Sequence, residues 1–237
     1  SSTSDPFHED LRVDDIIRPF AVMLAASWHT FQVLTKRPDR MRALLLDYDF
    51  WHEVIDLATQ YCRVYDLKPP QMWNTRAAPN IWLGTSIENQ PSADERLPDL
   101  RATPAARRFV SAEPLLSFID LGDALLDLDW VIVGGESGHG ARAMHPDWAR
   151  SLRDQCTAVG VPFFFKQWGE WAPVTDGTHT SMIRRDSGYV FPEPRNPANC
   201  DPIWAPIARL GKKAAGRQLD GRFWNEMPIN SIVGRAA

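Results

Sequence analysis

Three glutamates, Glu88, Glu113 and Glu136, each follow a short apolar run of the sequence, and Lys166 follows another. Carboxylates in such positions can bind a metal ion, act as general acids or bases, or hold an amine of a ligand. The neighbouring Lys166 and Gln167 suit a phosphate or carboxylate on the ligand. We predict catalytic roles for the three glutamates and Lys166, with simple charge balance among them as the structural alternative.

The apolar runs that precede these residues have the length of buried strands. Residues 130–133, WVIV, lead directly into Gly134, Gly135 and Glu136. A continuous apolar run bounded by glycine is typical of a strand buried on both faces, as in a parallel sheet. Five runs share this pattern, at residues 31–34, 81–84, 108–110, 130–133 and 163–165. Since sites in parallel α/β folds form at the carboxyl ends of strands, the pattern predicts one shared site.

Segments with helical periodicity lie between these strands, at residues 14–24, 39–67 and 146–159. Pro98 and Pro104 are expected to confine a further short helix. Alternation of strand and helix predicts an α/β fold, specifically a partial (βα) barrel of the TIM type with a mostly parallel sheet. We assign this barrel, lacking its first strand or strands, to residues 1–171.

Residues 172–237 differ in composition from the rest of the chain. They are rich in proline and polar residues, which predicts an irregular extension with a hairpin around residues 182–191. Four tryptophans near the extension are expected to fix it to the barrel, and stacking on a nucleobase is the alternative: Trp168, Trp171, Trp204 and Trp224.

The overall charge does not favour nucleic acid or membranes as partners. The net charge is −4 and the isoelectric point about 5.9. The apolar runs are shorter than the ~20 residues that span a bilayer. The three cysteines are scattered without metal-type spacing, so we expect free thiols, a cytoplasmic location and no metal site in this chain. Because the sequence begins with Ser1 instead of methionine, we expect the natural protein to begin further upstream.

A local patch is therefore needed for any contact with nucleic acid. In residues 209–222, here called the basic segment, five basic residues oppose one acid, Asp220. Lys212, Lys213 and Arg217 are the predicted phosphate-binding residues. A solvated basic surface without a ligand is the alternative.

Several blocks of the sequence resemble one known family: FHED, TFQVLTKRPDRM, NIWLGTSIENQ, RRFVSAEPLL, LDWVIVGGESG, GVPFFFKQWGEW and GKKAAGRQLDGR. It is a phage- and prophage-associated family of unknown function whose members carry an N-terminal three-cysteine motif. The family is similar to radical S-adenosylmethionine enzymes, so the resemblance implies a [4Fe–4S] cluster and S-adenosylmethionine for the full-length protein. In that interpretation we expect the cofactor contacts to come from strand-end residues: Thr35, Lys36, Ser86, Ser111, Gly134 and Gly135.

The chain departs from the family pattern at the cysteines. The three-cysteine motif is expected before Ser1, and Cys62, Cys156 and Cys200 do not replace it, since a cluster requires closely spaced thiolates. We predict the body of a radical-SAM-like enzyme acting on a nucleotide or nucleic-acid-related substrate. The alternatives are a non-catalytic phage module that binds nucleic acid or a partner protein, and a cluster-free hydrolase or lyase that uses the strand-end carboxylates.

Overall fold

The computed structural model of the protein describes residues 5–70, 77–174, 180–192 and 201–228. Its helices are α1 Val13–Ala25, α2 Pro38–Leu46, α3 Tyr48–Val64, α4 Gln90–Ala102, α5 Pro146–Val159 and α6 Lys212–Ala215, with a 3₁₀ turn at Gly122–Asp127. The strands are β1 Phe31–Thr35, β2 Ile81–Ser86, β3 Arg107–Ala112, β4 Trp130–Gly134, β5 Phe163–Gln167, β6 Trp171–Pro173, β7 Ser181–Arg184, β8 Val190–Phe191 and β9 Trp204–Arg209.

Strands β1 to β5 form one sheet in the order β1-β2-β3-β4-β5. The pairs β1–β2 and β4–β5 are parallel, and helices lie between successive strands along the chain. Each of the five predicted apolar runs is a strand. The α/β fold with a parallel sheet is thereby confirmed, and the sequential strand order is that of a partial (βα) barrel.

A second sheet forms after β5, in the order β6-β9-β7-β8. Its pairs are antiparallel, and the predicted hairpin is β7–β8, where Met182 faces Phe191. The extension is thus more regular than its composition predicts. Strands β6 and β9 pair only over three residues each, which is too short for a clear period-2 signal in the sequence.

Contacts within the chain divide it into two compact units. Unit 1 comprises Ser1–Ser86, Arg96–Phe109 and Ile229–Ala237, and unit 2 comprises Ile87–Glu95 and Val110–Pro228. The domain boundary predicted at residue 171 stays a prediction.

Unit 1 has an aromatic core between α1 and α3. Phe20 on α1 packs edge-on against Phe50 of α3 with ring centroids 5.6 Å apart, and the ring centroid of Phe7 lies 5.9 Å from that of Phe20. All three rings are buried. Such edge-to-face pairs are a favoured arrangement of aromatic rings.

The core of unit 2 is formed by β4, β5 and α5. Helix α5 begins at Pro146, ends at Val159 before Gly160, which has the left-handed conformation (φ 74°), and buries Trp148 completely. Proline at the first helical position and glycine after the last are the expected terminal signals.

Helix α4 corrects one expectation. It continues through Pro98 to Ala102, so Pro98 does not end the helix, which stops two residues before Pro104. Its start is fixed by Asn89 and Ser92, since the Asn89 Oδ1 atom accepts from the Ser92 amide at 3.0 Å and the Ser92 hydroxyl accepts from the Asn89 amide at 3.1 Å. Among the residues that the structure describes, no helix has the length and apolar character needed to cross a bilayer.

Candidate functional site

The carboxylate of Glu113 is bound on both oxygens by two consecutive residues of β5. Lys166 Nζ donates to Oε2 at 2.8 Å, and Gln167 Nε2 donates to Oε1 at 3.0 Å. Glu113 directly follows β3, and β4 lies between β3 and β5 in the sheet. The Glu113 side chain therefore reaches across the end of β4 to β5. This contact brings the carboxyl ends of β3, β4 and β5 together.

Gly134 makes this reach possible. A Cβ atom built on Gly134 would lie 3.2 Å from the carboxyl carbon of Glu113, which is closer than most real Cβ contacts. The glycine at the end of β4 thus leaves the space that the Glu113 carboxylate occupies. The predicted cofactor contact at Gly134 has, in this structure, a packing role toward Glu113.

A bulge in the β4–β5 pairing explains how two consecutive residues reach the same carboxylate. Val133 pairs with Phe165, but Gly134 pairs with Gln167, so the register shifts by one residue at Lys166. In a regular strand, consecutive side chains point to opposite faces of the sheet. A bulge breaks that alternation and redirects a side chain, and bulges are common beside functional sites.

Gln167 also contacts Ser137. Its Nε2 atom donates to the Ser137 hydroxyl oxygen at 3.3 Å, and the Gln167 residue is only 8% exposed. Since the hydroxyl oxygen accepts from Gln167, its own proton is free to be donated to another group. The buried amide therefore couples the position of Glu113 to that of Ser137.

Glu136 is held by Arg142 through three hydrogen bonds. The Arg142 backbone amide and Nε donate to Oε2 at 2.7 and 2.8 Å, and Nη2 donates to Oε1 at 2.8 Å. These bonds lower the pKa of Glu136 to about 2. The carboxylate is ionised at neutral pH, so Glu136 is poorly suited to donate a proton. Sequence reasoning missed Arg142, because a loop residue six positions away carries no periodic signal.

Two further glutamates add negative charge to this region of unit 2. The pKa of Arg142 is raised mainly by its hydrogen bond to Glu136, and the charge of Glu88 adds to that effect. Glu170 Oε1 accepts from the Gly138 amide at 3.1 Å. Arg209 donates to the Gly138 carbonyl at 3.3 Å. The charged side chains described in this region are thus four carboxylates and three cations: Glu88, Glu113, Glu136 and Glu170, and Arg142, Lys166 and Arg209.

Gly135 has a packing role of its own. A Cβ there would lie 1.9 Å from the carbonyl oxygen of Trp168, and a Cβ on Gly169 would lie 2.0 Å from the carbonyl oxygen of Glu136. The two backbones therefore touch. This close approach requires glycine at both positions.

The other predicted cofactor residues lie at strand ends, where each makes hydrogen bonds within its own unit. In unit 2, the Ser111 carbonyl accepts from the Ile87 amide at 3.0 Å. In unit 1, the Thr35 hydroxyl and the Lys36 amide donate to Asp5 at 2.6 and 2.8 Å. The Ser86 carbonyl of unit 1 accepts from Arg96 at 2.7 Å.

The predicted phosphate-binding residues of the basic segment differ in environment. Lys212 and Lys213 are exposed on α6. The Arg217 guanidinium lies over Phe164 at 5.1 Å and over Phe223 at 5.7 Å, and it bonds to Asn225. The indole N–H groups of the nearby tryptophans hold loops by donating to carbonyls: Trp168 to Gln218, Trp171 to Ala141 and Trp224 to Leu219.

The described cysteines do not fit an iron–sulfur cluster. Cys62 is buried in α3 of unit 1 and Cys156 in α5 of unit 2, and burial raises the pKa of Cys156 to about 12. Cluster ligands are thiolates grouped together, which neither residue provides. Cys200 lies outside the described residues. Among those residues, no group of three potential metal ligands is found.

A family model described as a protein of unknown function (DUF5131) matches residues 1–228. The chain belongs to this family. The match extends over the strand-end residues of both units, and it confirms the prediction that the chain belongs to a family of unknown function. No curated protein and no solved structure shows a significant match to the chain.

Proposed function

We propose that this member of the family is the ligand-binding body of a radical-SAM-like enzyme that acts on a nucleotide or nucleic-acid-related substrate. The observation that carries the proposal is the bidentate binding of Glu113 by Lys166 and Gln167 at the carboxyl ends of β3 and β5. Ligand sites of parallel α/β folds form at this edge of the sheet. The phage association of the resembling family belongs to the same proposal.

The charges in unit 2 favour a ligand that carries a positive group. Glu113 leaves part of its carboxylate open to solvent, and Glu88, Glu136 and Glu170 add negative charge in the same unit. S-adenosylmethionine meets this requirement, because it carries an ammonium and a sulfonium group. We assign the ammonium to Glu113, whose side chain is 21% exposed and keeps lone pairs that Lys166 and Gln167 do not use.

Lys166 and Ser137 supply donors for the anionic part of the same ligand. The Lys166 side chain is 51% exposed, and its ammonium has two N–H groups beyond the one given to Glu113. Ser137 is exposed and has a hydroxyl proton to donate. An amine on Glu113 beside a carboxylate on Lys166 and Ser137 matches a zwitterionic amino-acid group.

We do not assign the iron–sulfur cluster to the described cysteines, because they do not fit it. In this proposal the residues of the chain bind and orient the ligand. Lys166 and Gln167 fix the orientation of the Glu113 carboxylate through their two hydrogen bonds, so little reorganisation is needed when the ligand binds.

Titration of the purified chain with S-adenosylmethionine, followed by calorimetry, tests the proposal. We expect saturable binding that weakens about tenfold or more in Glu113→Gln and in Lys166→Met, since each removes a charged hydrogen bond worth roughly 1.5–3 kcal/mol. Glu53→Gln, at an exposed position of α3 in unit 1, is the matched control and should bind like the wild type.

Failure of S-adenosylmethionine to bind at millimolar concentration would overturn the proposal. Binding that is equally strong in Glu113→Gln would place the ligand elsewhere on the chain. Binding of simple amines in preference to S-adenosylmethionine would instead favour the cluster-free hydrolase or lyase.

A further inference from the structure

The basic segment is anchored on both sides within unit 2. At its start, the amides of Leu210 and Gly211 both donate to the Glu170 carbonyl at 3.0 Å. In its middle, the Trp168 amide donates to the Gly216 carbonyl at 3.2 Å. Just after it, the Trp224 carbonyl accepts from the Phe165 amide of β5 at 3.0 Å. The backbone that carries the charged side chains of the segment is therefore held in place by hydrogen bonds.

The one acid of the segment is engaged by arginines of α5. Asp220 accepts from Arg150 Nη2 at 2.7 Å and from Arg153 Nη1 at 2.6 Å. These bonds lower the pKa of Asp220, so the carboxylate stays ionised and paired with α5. Its negative charge is thus already balanced, and Lys212 and Lys213 remain exposed on the surface.

An exposed aromatic ring follows the last residue of the segment. Phe223 is 51% exposed, and the Arg217 guanidinium lies 5.7 Å from its ring centroid. Arg222 lies 4.1 Å over the Trp224 ring, its side chain is 64% exposed, and its Nη2 atom lies 3.9 Å from the exposed carboxylate of Glu226. Exposed aromatic rings beside fixed cations are the elements from which proteins build surfaces for unpaired bases.

We propose that the basic segment and Phe223 form a docking surface for single-stranded nucleic acid. Lys212, Lys213 and Arg222 contact phosphates, and an unpaired base stacks on the free part of Phe223. This inference rests on the nucleic-acid-related substrate of the proposed function and names the form of that substrate. In a duplex the faces of the bases are covered by their neighbours, so an exposed ring adds little to duplex binding.

The exposed ring of Phe223, added to the local charge, favours single-stranded nucleic acid over an acidic peptide. The protein is acidic overall, so its long-range field repels any polyanion and binding must come from the local charge. The phosphates of single-stranded or duplex nucleic acid attract the lysines. The carboxylates of an acidic peptide would attract them as well. Only a ligand with exposed planar bases also uses the half-exposed ring of Phe223.

Fluorescence anisotropy with a labelled single strand of about 15 nucleotides, and with the duplex of the same sequence, tests the inference. We expect the single strand to bind more tightly than the duplex. Phe223→Ala should weaken single-strand binding between about five- and 100-fold, since stacking contributes that much per base, while Phe223→Tyr should retain it. Tyr48→Ala, at another exposed ring, is the matched control.

A salt series separates the phosphate contacts from stacking. Affinity for the single strand should fall with a log–log slope of about −0.7 per phosphate contact. Charge reversal of Lys212 and Lys213 should weaken binding and flatten the slope by roughly one to two units, while Phe223→Ala should leave the slope unchanged. Lys68→Glu, at an exposed lysine of unit 1, is the control for charge reversal.

Equal binding of duplex and single strand, or full binding by Phe223→Ala, would overturn the inference. Equal affinity for a poly-glutamate peptide would overturn it in favour of an acidic protein partner. The assay requires no small ligand, so loss of S-adenosylmethionine binding with intact single-strand binding would count against the proposed function alone.

Discussion

Glu113 follows β3 and Lys166 lies near the end of β5, and these two strands are not neighbours in the sheet. Lys166 Nζ nevertheless lies 2.8 Å from Glu113 Oε2, with the Glu113 carboxyl group against Gly134. The contact depends on two local irregularities of β4 and β5, the glycine and the bulge. Both weaken a regular sheet, since a strand glycine packs no side chain and a bulge interrupts the ladder. Their presence at the same strand ends favours a site over a purely structural ion pair.

Substitution of Gly135 tests the backbone contact behind this site. A Cβ in Gly135→Ala would lie 1.9 Å from the Trp168 carbonyl, so the two backbones must separate. We expect the free energy of unfolding to fall by about 1–3 kcal/mol, the usual cost of overpacking. Urea unfolding measures it. Gly140→Ala, where no atom lies within 4 Å, should change stability by less than about 0.5 kcal/mol. Equal stability of the two variants would contradict the contact.

Trp130 is expected to contribute strongly to the core of unit 2. It is 4% exposed, its ring packs 5.8 Å from Phe164, and its Nε1 donates to the Glu226 carbonyl at 2.8 Å. Trp130→Ala should lower the free energy of unfolding by about 3–5 kcal/mol, as for other large aromatic deletions. Trp28→Ala, at a residue 62% exposed, should cost far less in the same urea titration. A loss below about 1 kcal/mol at Trp130 would disprove the core assignment.

The ion pair between Glu136 and Arg142 predicts a pH dependence. The pKa of Glu136 is about 2 in the folded protein against an ordinary 4.5, so the pair stabilises the fold above pH 4.5. This contribution is lost as the pH falls toward 2. Arg142→Gln should therefore lower stability by about 0.5–1 kcal/mol at pH 7, and the difference from wild type should fade in acid.

Chemical unfolding at neutral and acidic pH measures this difference. Arg12→Gln is the control, because Arg12 pairs with Asp14 in an exposed salt bridge with side chains 79% and 56% exposed. Its effect should be small at every pH. A wild-type advantage over Arg142→Gln that grows in acid would show that the pair does not hold Glu136 ionised.

We expect this chain by itself to bind no [4Fe–4S] cluster. Cys62 and Cys156 lie buried on different helices in different units, and the raised pKa of Cys156 disfavours its thiolate. Anaerobic reconstitution followed by iron and sulfide analysis is the measurement. Cys62→Ala and Cys156→Ala should give the same low iron content as the wild type. Loading close to four irons per chain would contradict the prediction.

The sequence predicts the five parallel strands because each is a short apolar run bounded by glycine or polar residues. Such runs are set locally, by the burial of consecutive residues such as those of β4. The carboxyl-end position of Glu113 and Lys166 follows from the same pattern. The hairpin β7–β8 is predictable for a similar reason, since its two strands are close in sequence.

The pairings within the site are not predictable in this way. The contact between Gln167 and Glu113 spans 54 residues and depends on a one-residue register shift, which leaves no period in the sequence. The role of Gly134 depends on a side chain from another strand. The sequence indicates a tight turn there, and only the structure shows that the space is used by a carboxylate.

Residues 224–226, just after the basic segment, cover the edge of the parallel sheet. Strand β5 ends the sheet, and residues 224–226 run along it, with backbone bonds from Phe165 to Trp224 and from Glu226 to Phe163. An uncovered strand of this kind is a template for self-association. The surface proposed to bind nucleic acid therefore adjoins the stretch that covers this edge strand. Mutations selected there for altered binding will tend to carry an aggregation phenotype, and light scattering distinguishes the two effects.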